Sequence, residues 1–158
     1  MKEIHATLLW VVQDGRVLLG RKKRGWRAGI YNGIGGKVDA GEDAEAAMIR
    51  ETQEEIGITP TKYEKVGYAE FIVFFKGEKS KLFAHKYIAT QFEGELIETD
   101  EMRPEWFDID KVPYDQMWSA DIIWLPRLLA GEKLTSYITF DEDNNIVTCK
   151  IEEGLEDK

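Results

Sequence analysis

The chain has 158 residues, 43% of them hydrophobic and 32% charged, which is typical of one soluble globular domain with a substantial core. Its formal net charge of −9 argues against polymeric nucleic acid as a partner, because binding to a phosphate backbone requires clustered lysine and arginine. No apolar run approaches the length of a membrane span, and the N-terminus lacks the pattern of a signal peptide, so we expect no membrane partner.

The single cysteine, Cys149, cannot form a disulfide within the chain, which fits a reducing cytoplasm. It alternates with polar neighbours in a β-prone segment, and we interpret it as a buried strand residue rather than a nucleophile. We expect a cytoplasmic monomer whose residues 1–158 form one domain, with the charged residues 152–158 as a frayed tail.

Most of the predicted elements are strands joined by tight turns. Asp14 and Gly15 lie between two apolar runs, and an Asp-Gly pair in that position is a strong hairpin signal. A Gly-rich, β-prone segment then leads into the first helix, and a later acidic segment, 93–103, is predicted to be irregular. The predicted strands are residues 4–12, 16–20, 31–38, 65–76, 82–91, 105–109, 136–140 and 146–151.

Two helices are predicted, at residues 44–56 and 121–130, with a helical turn at 113–118 between them. Asp43 is the expected N-cap of the first helix, and Gly57 is its expected left-handed end. Pro126 marks a kink or a restart in the second helix. The alternation of strand and helix segments predicts an α/β fold in which helices pack on a mixed sheet.

The first helix carries an unusual cluster of carboxylates. Glu51, Glu54 and Glu55 fan over about 100° of one helix face, and Arg50 lies one turn before Glu54, where the two can pair. Such a cluster is either a solvated acidic face or a site for a hard cation such as Mg²⁺, which prefers a few carboxylates together with substrate phosphates.

The segments before this helix can bring a phosphate close to it. Basic residues gather only at 21–24, where a small phosphorylated ligand can bind despite the acidic surface. Gly35 and Gly36 permit close approach of the backbone to a ligand or metal, although a tight turn explains them equally well.

The spacing from Gly36 to Gly57, GX5EX7REXXEEXG, resembles the signature of the Nudix hydrolases. Thr52 departs from it, since the family usually has an aliphatic residue there, and we expect this to affect packing more than chemistry. Outside the signature, KKRG at 22–25, the Asn-Gly pair at 32–33 and DEMRP at 100–104 resemble the MutT-type enzymes that act on oxidised purine nucleotides. The resemblance covers nearly the whole chain and implies a Nudix αβα sandwich.

The resemblance implies Mg²⁺-dependent hydrolysis of a nucleoside triphosphate to the monophosphate and pyrophosphate, with Mn²⁺ as a substitute metal. Arg50 would hold the carboxylates in place, Glu42 would support the loop, and Lys22 would face a phosphate or remain a solvated hairpin charge. The implied metal ligands are a backbone carbonyl of Gly35 or Gly36 and the carboxylates of Glu51, Glu54, Glu55 and Glu101.

The resemblance also implies a purine pocket. Asn32 would hydrogen-bond the purine edge, Trp118 would stack on the base, and Asp121 would read the altered base. The remaining implied walls are Thr7, Trp26, Phe71, Val73, Leu82, Met102 and Trp124, of which Val73 and Leu82 fit a core equally well. Ala120 stands where the family has a second carboxylate, so we expect Asp121 to act as an acceptor, with 8-oxo-dGTP favoured and 2-hydroxy-dATP poorer.

Two other functions remain open at this point. The first is a Nudix hydrolase that acts on another nucleotide or on an RNA 5′ end, although the acidic surface argues against RNA. The second is a catalytically inactive nucleotide sensor with the same fold. Such sensors usually lack carboxylates of the signature, and none is lost here.

Overall fold

The computed structural model describes residues 1–25 and 27–155, which form one mixed eight-stranded sheet with two α-helices. Short 3₁₀ helices lie at Ile109–Lys111 and Tyr114–Gln116. The strands are β1 (Lys2–Gln13), β2 (Arg16–Lys22), β3 (Tyr31–Asn32), β4 (Thr59–Phe75), β5 (Glu78–Glu93), β6 (Met102–Asp108), β7 (Leu134–Phe140) and β8 (Ile146–Glu153), and the helices are α1 (Ala44–Ile56) and α2 (Asp121–Leu129).

The strand order is β3-β2-β1-β5-β4-β7-β8, and β6 pairs with the free side of β2. Strand β1 pairs in parallel with β5, and β4 pairs in parallel with β7, whereas the other pairs are antiparallel. The predicted hairpin at Asp14 and Gly15 is confirmed, since Gln13 pairs with Arg16 across it.

The sheet has a hydrophobic core on each face, which follows from the alternation of its central strand. On β1, Leu9 and Val11 point into the core that contains Met48 of α1. Trp10, between them, points to the other face and meets Trp124 of α2 with ring centroids 5.6 Å apart. The two helices therefore lie on opposite faces, and the predicted αβα sandwich on a mixed sheet is confirmed.

Helix α1 begins and ends where its capping residues predict. The Asp43 carboxylate accepts a hydrogen bond of 2.7 Å from the backbone N–H of Ala46, and Gly57 adopts a φ of 77°, which favours glycine. Thr52 is fully buried, and its hydroxyl donates to the Met48 carbonyl at 2.7 Å. The departure at Thr52 is thus accommodated inside the helix without a buried unpaired hydroxyl.

Several predicted boundaries differ because pairing extends the strands beyond their apolar segments. Strands β4 and β5 pair from Thr59 opposite Glu93 to Phe75 opposite Glu78, and the turn lies at Lys76 and Gly77 rather than across 77–80. Strand β6 begins at Met102, because the whole segment 102–108 pairs with β2. Helix α2 continues through Pro126.

The interpretation of Cys149 as buried is wrong, because it lies exposed on β8, which pairs with β7 at the edge of the sheet formed by the described residues. The prediction that a frayed tail begins at residue 152 is also wrong, since Glu152 and Glu153 of β8 pair with Thr135 and Leu134 of β7. Residues 156–158 of that tail lie outside the described part of the chain. Within the described part, no helix is long and apolar enough to cross a bilayer.

Candidate active site

Arg50 ties the acidic face of α1 to the loop that precedes the helix. Its guanidinium donates two hydrogen bonds to Glu42, at 2.8 and 2.9 Å, and one to the Lys37 carbonyl at 3.1 Å. The same group donates to Glu51 at 2.9 Å and to Glu54 at 3.2 Å, so the expected pairing with Glu54 is present. The hydrogen bonds to Glu42 and then to Glu51 raise the pKa of Arg50, which is therefore a fixed positive charge.

Glu55 is the buried member of the carboxylate fan. Its side chain is close to Glu51, and its Oε2 has no hydrogen-bond partner among the described residues. Burial and the Glu51 charge raise the pKa of Glu55 to about 8, against a backbone hydrogen bond from Gly35 that lowers it. Burial and the neighbouring Glu51 carboxylate therefore disfavour the ionised form of Glu55 in the metal-free fold.

The two glycines before the helix let the backbone approach this cluster. A Cβ on Gly36 would lie 2.6 Å from the Glu51 carboxylate carbon, and a Cβ on Gly35 would collide with the Thr7 carbonyl oxygen. The Gly36 carbonyl already accepts a hydrogen bond of 2.9 Å from the Thr7 N–H. Of the two glycines, Gly35 is therefore the better source of a carbonyl ligand.

Glu101 and Lys22 approach the fan from the paired ends of β6 and β2. The Lys23 N–H donates to the Glu101 carbonyl at 3.0 Å, and the Glu101 side chain pairs with Arg24, which lowers the pKa of Glu101. Lys22 is half-buried, and burial lowers its pKa while the charges of Glu55 and Glu101 raise it. The structure thus brings a lysine and the predicted fourth carboxylate next to Glu55.

The carboxylates do not form a closed metal cage as they stand. Across residues 1–25 and 27–155, no three Asp, Glu, His or Cys side chains converge on one point at metal-binding distance. Glu54 is 60% exposed and turned toward Arg50, and Glu101 is turned toward Arg24. The unpartnered Glu55 oxygen beside Glu51 nevertheless fits a divalent cation, which would add positive charge between the two carboxylates.

A largely apolar cavity of about 280 Å³ opens beside this cluster. Glu55, Gly35, Gly36 and Glu101 lie at one side of the cavity, so its lining includes four of the predicted metal ligands. Every predicted substrate-binding residue of the described part also lines it. These residues are Thr7, Lys22, Asn32, Phe71, Met102, Trp118, Asp121 and Trp124. Val73 and Leu82 line it as well, while Trp26 lies outside the described residues.

Five buried polar atoms in this lining have no hydrogen-bond partner in the part of the chain that is described. They are Thr7 Oγ1, Arg27 Nε, Glu55 Oε2, Asp121 Oδ2 and Trp124 Nε1, and the residues Thr7, Asp121 and Trp124 are at most 4% exposed. An unsatisfied buried polar group costs about 1–3 kcal/mol. Their common position in one cavity indicates a ligand with several donors and acceptors on its edge.

Trp118 and Asn32 are placed to receive a flat ligand. The Trp118 ring meets Phe140 at a centroid distance of 5.9 Å, and the Arg27 guanidinium lies 4.6 Å from the Trp118 centroid. The Asn32 side-chain oxygen accepts a hydrogen bond of 2.9 Å from the Gly33 N–H, which orients the amide. Sequence reasoning missed Arg27, because a loop arginine carries no periodic signal.

Sequence reasoning also missed Lys86, which lies fully buried behind Trp124. Asp121 is buried too. Alanine at position 120 leaves Asp121 without a carboxylate neighbour in the chain, but burial still raises the pKa of Asp121, a cause that the sequence does not show. The positive charges of Lys86 and Arg27 oppose that rise. The period of β5 places Lys86 on the same face as Leu82, which is the signal that could have found it.

The fold, the capped acidic helix and the arginine that ties it to its loop define a nucleotide-processing class of protein. Residues 1–128 match the family described as NUDIX domain, and the chain belongs to that family. Its members generally use divalent metal ions.

Individual proteins similar to this chain indicate which members of the family it resembles. The chain is 48% identical over 147 residues to an oxidized purine nucleoside triphosphate hydrolase from Danio rerio and 39% identical over 147 residues to one from Mus musculus, and each match covers 93% of both chains. Among solved structures, a MutT mutator protein from Bacillus halodurans matches with a TM-score of 0.78 and 27% identity, covering 94% of this chain and 97% of that one.

Proposed function

We propose that this protein hydrolyses oxidised purine nucleoside triphosphates to the monophosphate and pyrophosphate, with Mg²⁺ as the metal and 8-oxo-dGTP as the favoured substrate. The observation that carries the proposal is one cavity whose lining combines apolar side chains and unsatisfied polar atoms with the buried carboxylate of Glu55. A purine fits the part lined by Trp118, Asp121 and Trp124, and a metal-bound triphosphate fits the part beside Glu55. The names of the relatives support the same substrate class.

The chain's own residues take distinct parts in this reaction. Glu51, Glu54 and Glu55, with Glu101 and the Gly35 carbonyl, would hold the metal. A divalent cation bound there would neutralise the triphosphate and orient the attacked phosphorus.

Arg50 positions Glu51 and Glu54, and Lys22 faces the phosphates. One carboxylate orients a water molecule and accepts its proton. The water oxygen then bonds to an inner phosphorus while the bond to the pyrophosphate oxygen breaks.

The base is held by stacking and by hydrogen bonds from the cavity wall. Trp118 offers an aromatic face, which contributes about 1–3 kcal/mol per stacked base. Asn32 and Asp121 meet the polar edge of the purine, and Phe71, Met102 and Trp124 exclude water around it. The formal net charge of −9 favours free nucleotides over RNA as substrates. We further propose that the protein is a monomer and that it acts in the cytoplasm.

A substrate panel tests the proposal. Purified protein in Mg²⁺ is incubated with 8-oxo-dGTP, 2-hydroxy-dATP, dGTP, NAD⁺ and a 5′-triphosphorylated RNA, and released pyrophosphate and monophosphate are measured. We expect 8-oxo-dGTP to be cleaved with a higher kcat/KM than dGTP, and Glu55→Gln to be inactive. Preferred cleavage of NAD⁺ or RNA would overturn the substrate assignment, and tight binding without any cleavage would indicate a sensor.

A further inference from the structure

A buried lysine lies beneath the base cavity, outside every motif that indicates the active site. Lys86 of β5 is 1% exposed, and its Nζ lies 3.2 Å from the ring centroid of Trp124 and 5.3 Å from that of Phe71. Gly67, its partner on β4, leaves room for the stem, because a Cβ there would lie 3.0 Å from Lys86 Cδ. The ammonium is thus held against two rings that line the cavity.

Asp121 lies close enough to this ammonium for the two charges to interact. It precedes Trp124 by about one helical turn, so both side chains project from the buried face of α2. Asp121 is 4% exposed and lines the cavity, and its Oδ2 lacks a partner among the described residues. Burial raises the pKa of Asp121 and lowers the pKa of Lys86, and each charge opposes the shift of the other.

We propose that Lys86 is a positioning residue for substrate specificity, which keeps Asp121 an ionised hydrogen-bond acceptor and so favours purines that present N–H donors to it. This inference rests on the proposed function, in which Asp121 meets the purine edge. A 6-oxopurine such as guanine carries hydrogens on N1 and on its 2-amino group. A 6-aminopurine has an unprotonated N1, whose lone pair a carboxylate repels.

Two further ionisable groups face Asp121 from other elements. Arg27, in the loop between β2 and β3, adds a second positive charge near it. Tyr114, in the second 3₁₀ helix, has its pKa raised by burial and by the Asp121 charge. Both groups remain when Lys86 is replaced, so a pH profile isolates the contribution of Lys86.

The first test compares two nucleotides that share the oxidised C8 and the triphosphate but differ at the purine edge. We measure kcat/KM for 8-oxo-dGTP and 8-oxo-dATP in Mg²⁺ across neutral pH, in the unaltered protein and in Lys86→Met. Methionine has a similar length and fills the space of the lysine stem, and the Asp121 carboxyl that loses this positive charge can take up a proton instead of remaining a buried unpaired charge.

We expect the 8-oxo-dGTP preference to fall about tenfold or more, the loss typical of a hydrogen bond to a charged group. Lys81→Met is the matched control on the same strand, since Lys81 pairs with Glu70 and strand alternation places it on the opposite face of β5 from Lys86, and it should leave the ratio unchanged.

The second test needs no turnover. The Asp121 carboxyl is followed by NMR during a pH titration and is assigned by its absence in Asp121→Asn. We expect it to titrate at a higher pH in Lys86→Met than in the unaltered protein. Absence of turnover on both nucleotides in the unaltered protein would refute the proposed function, whereas normal turnover with an unchanged ratio or an unchanged titration would overturn the inference about Lys86.

Discussion

At the scale of single residues, the carboxylates of α1 differ in burial, and this sets what their replacement does. Glu54→Gln and Glu55→Gln should each lower kcat by orders of magnitude, because a neutral amide keeps the volume but loses the attraction to the cation. Only Glu55→Gln should also stabilise the metal-free protein, by an amount that grows as the pH rises above 4.5 and is complete by about pH 8, since burial raises the pKa of Glu55 to about 8 whereas Glu54 is exposed.

Turnover in Mg²⁺ and thermal unfolding in chelator measure the two effects. Near-full activity of either variant would remove its residue from the metal site.

Trp118 should contribute to binding of the base rather than to the chemical step. Trp118→Ala should raise KM for 8-oxo-dGTP by an amount that corresponds to about 1–3 kcal/mol, with a smaller effect on kcat. Inorganic triphosphate, which has no base, is the control substrate, and its hydrolysis should be unaffected. An equal loss for both substrates would show that Trp118 acts elsewhere.

Ala120 should restrict the range of purines. Ala120 is 1% exposed and lines the cavity beside Asp121, so Ala120→Asp would place two carboxylates together in a buried site. Such a pair tends to keep one proton and can both donate and accept. We expect kcat/KM for 2-hydroxy-dATP to rise relative to 8-oxo-dGTP in this variant, and an unchanged ratio would contradict the argument.

The sequence predicted the arrangement of the acidic helix better than the charges around the base cavity. Glu51, Glu54, Glu55 and Arg50 follow from spacing on one helix, and their contacts with Glu42 complete a local arrangement. Lys86 and Arg27 reach the cavity from a strand and a loop distant in sequence from Asp121. Their effect on Asp121 depends on tertiary packing and burial, which helix or strand periodicity alone does not reveal.

At the scale of elements, capping decides how firmly the acidic face of α1 is held. Asp43→Ala removes the bond to the Ala46 N–H and should lower the free energy of unfolding by about 1 kcal/mol, or about 2–4 °C in Tm. Asp43→Asn is the matched control, because asparagine caps equally well. Equal losses in calorimetry would mean that the charge, rather than the cap, stabilises the helix.

Elements with local signals were predicted closely, and elements defined by pairing were not. The bounds of α1 follow from Asp43 and Gly57, and the first hairpin follows from Asp14 and Gly15. The outer halves of β4 and β5 are polar or irregular in pattern and become strands only because they pair with each other. The exposure of Cys149 likewise depends on β8 being an edge strand, which no local pattern shows.

At the scale of the whole molecule, the folded state binds a proton at Glu55 that the unfolded chain releases. The pKa of Glu55 is raised from 4.5 to about 8, so between these values the folded state holds more protons and its stability falls as pH rises. A divalent cation binds the ionised carboxylates and must displace that proton, so its stabilisation should grow across the same window.

We expect the rise in Tm on adding Mg²⁺ to be larger at about pH 8.5 than at about pH 6. The general self-repulsion of a chain with a net charge of −9 also increases with pH, but it is shared by Glu55→Gln. In chelator, the Tm of Glu55→Gln should therefore fall less with rising pH than the Tm of the unaltered protein. Any increase in Tm that Mg²⁺ still produces in this variant should depend little on pH. An equal Mg²⁺-induced shift at both pH values in the unaltered protein would mean that Glu55 is already ionised in the metal-free fold.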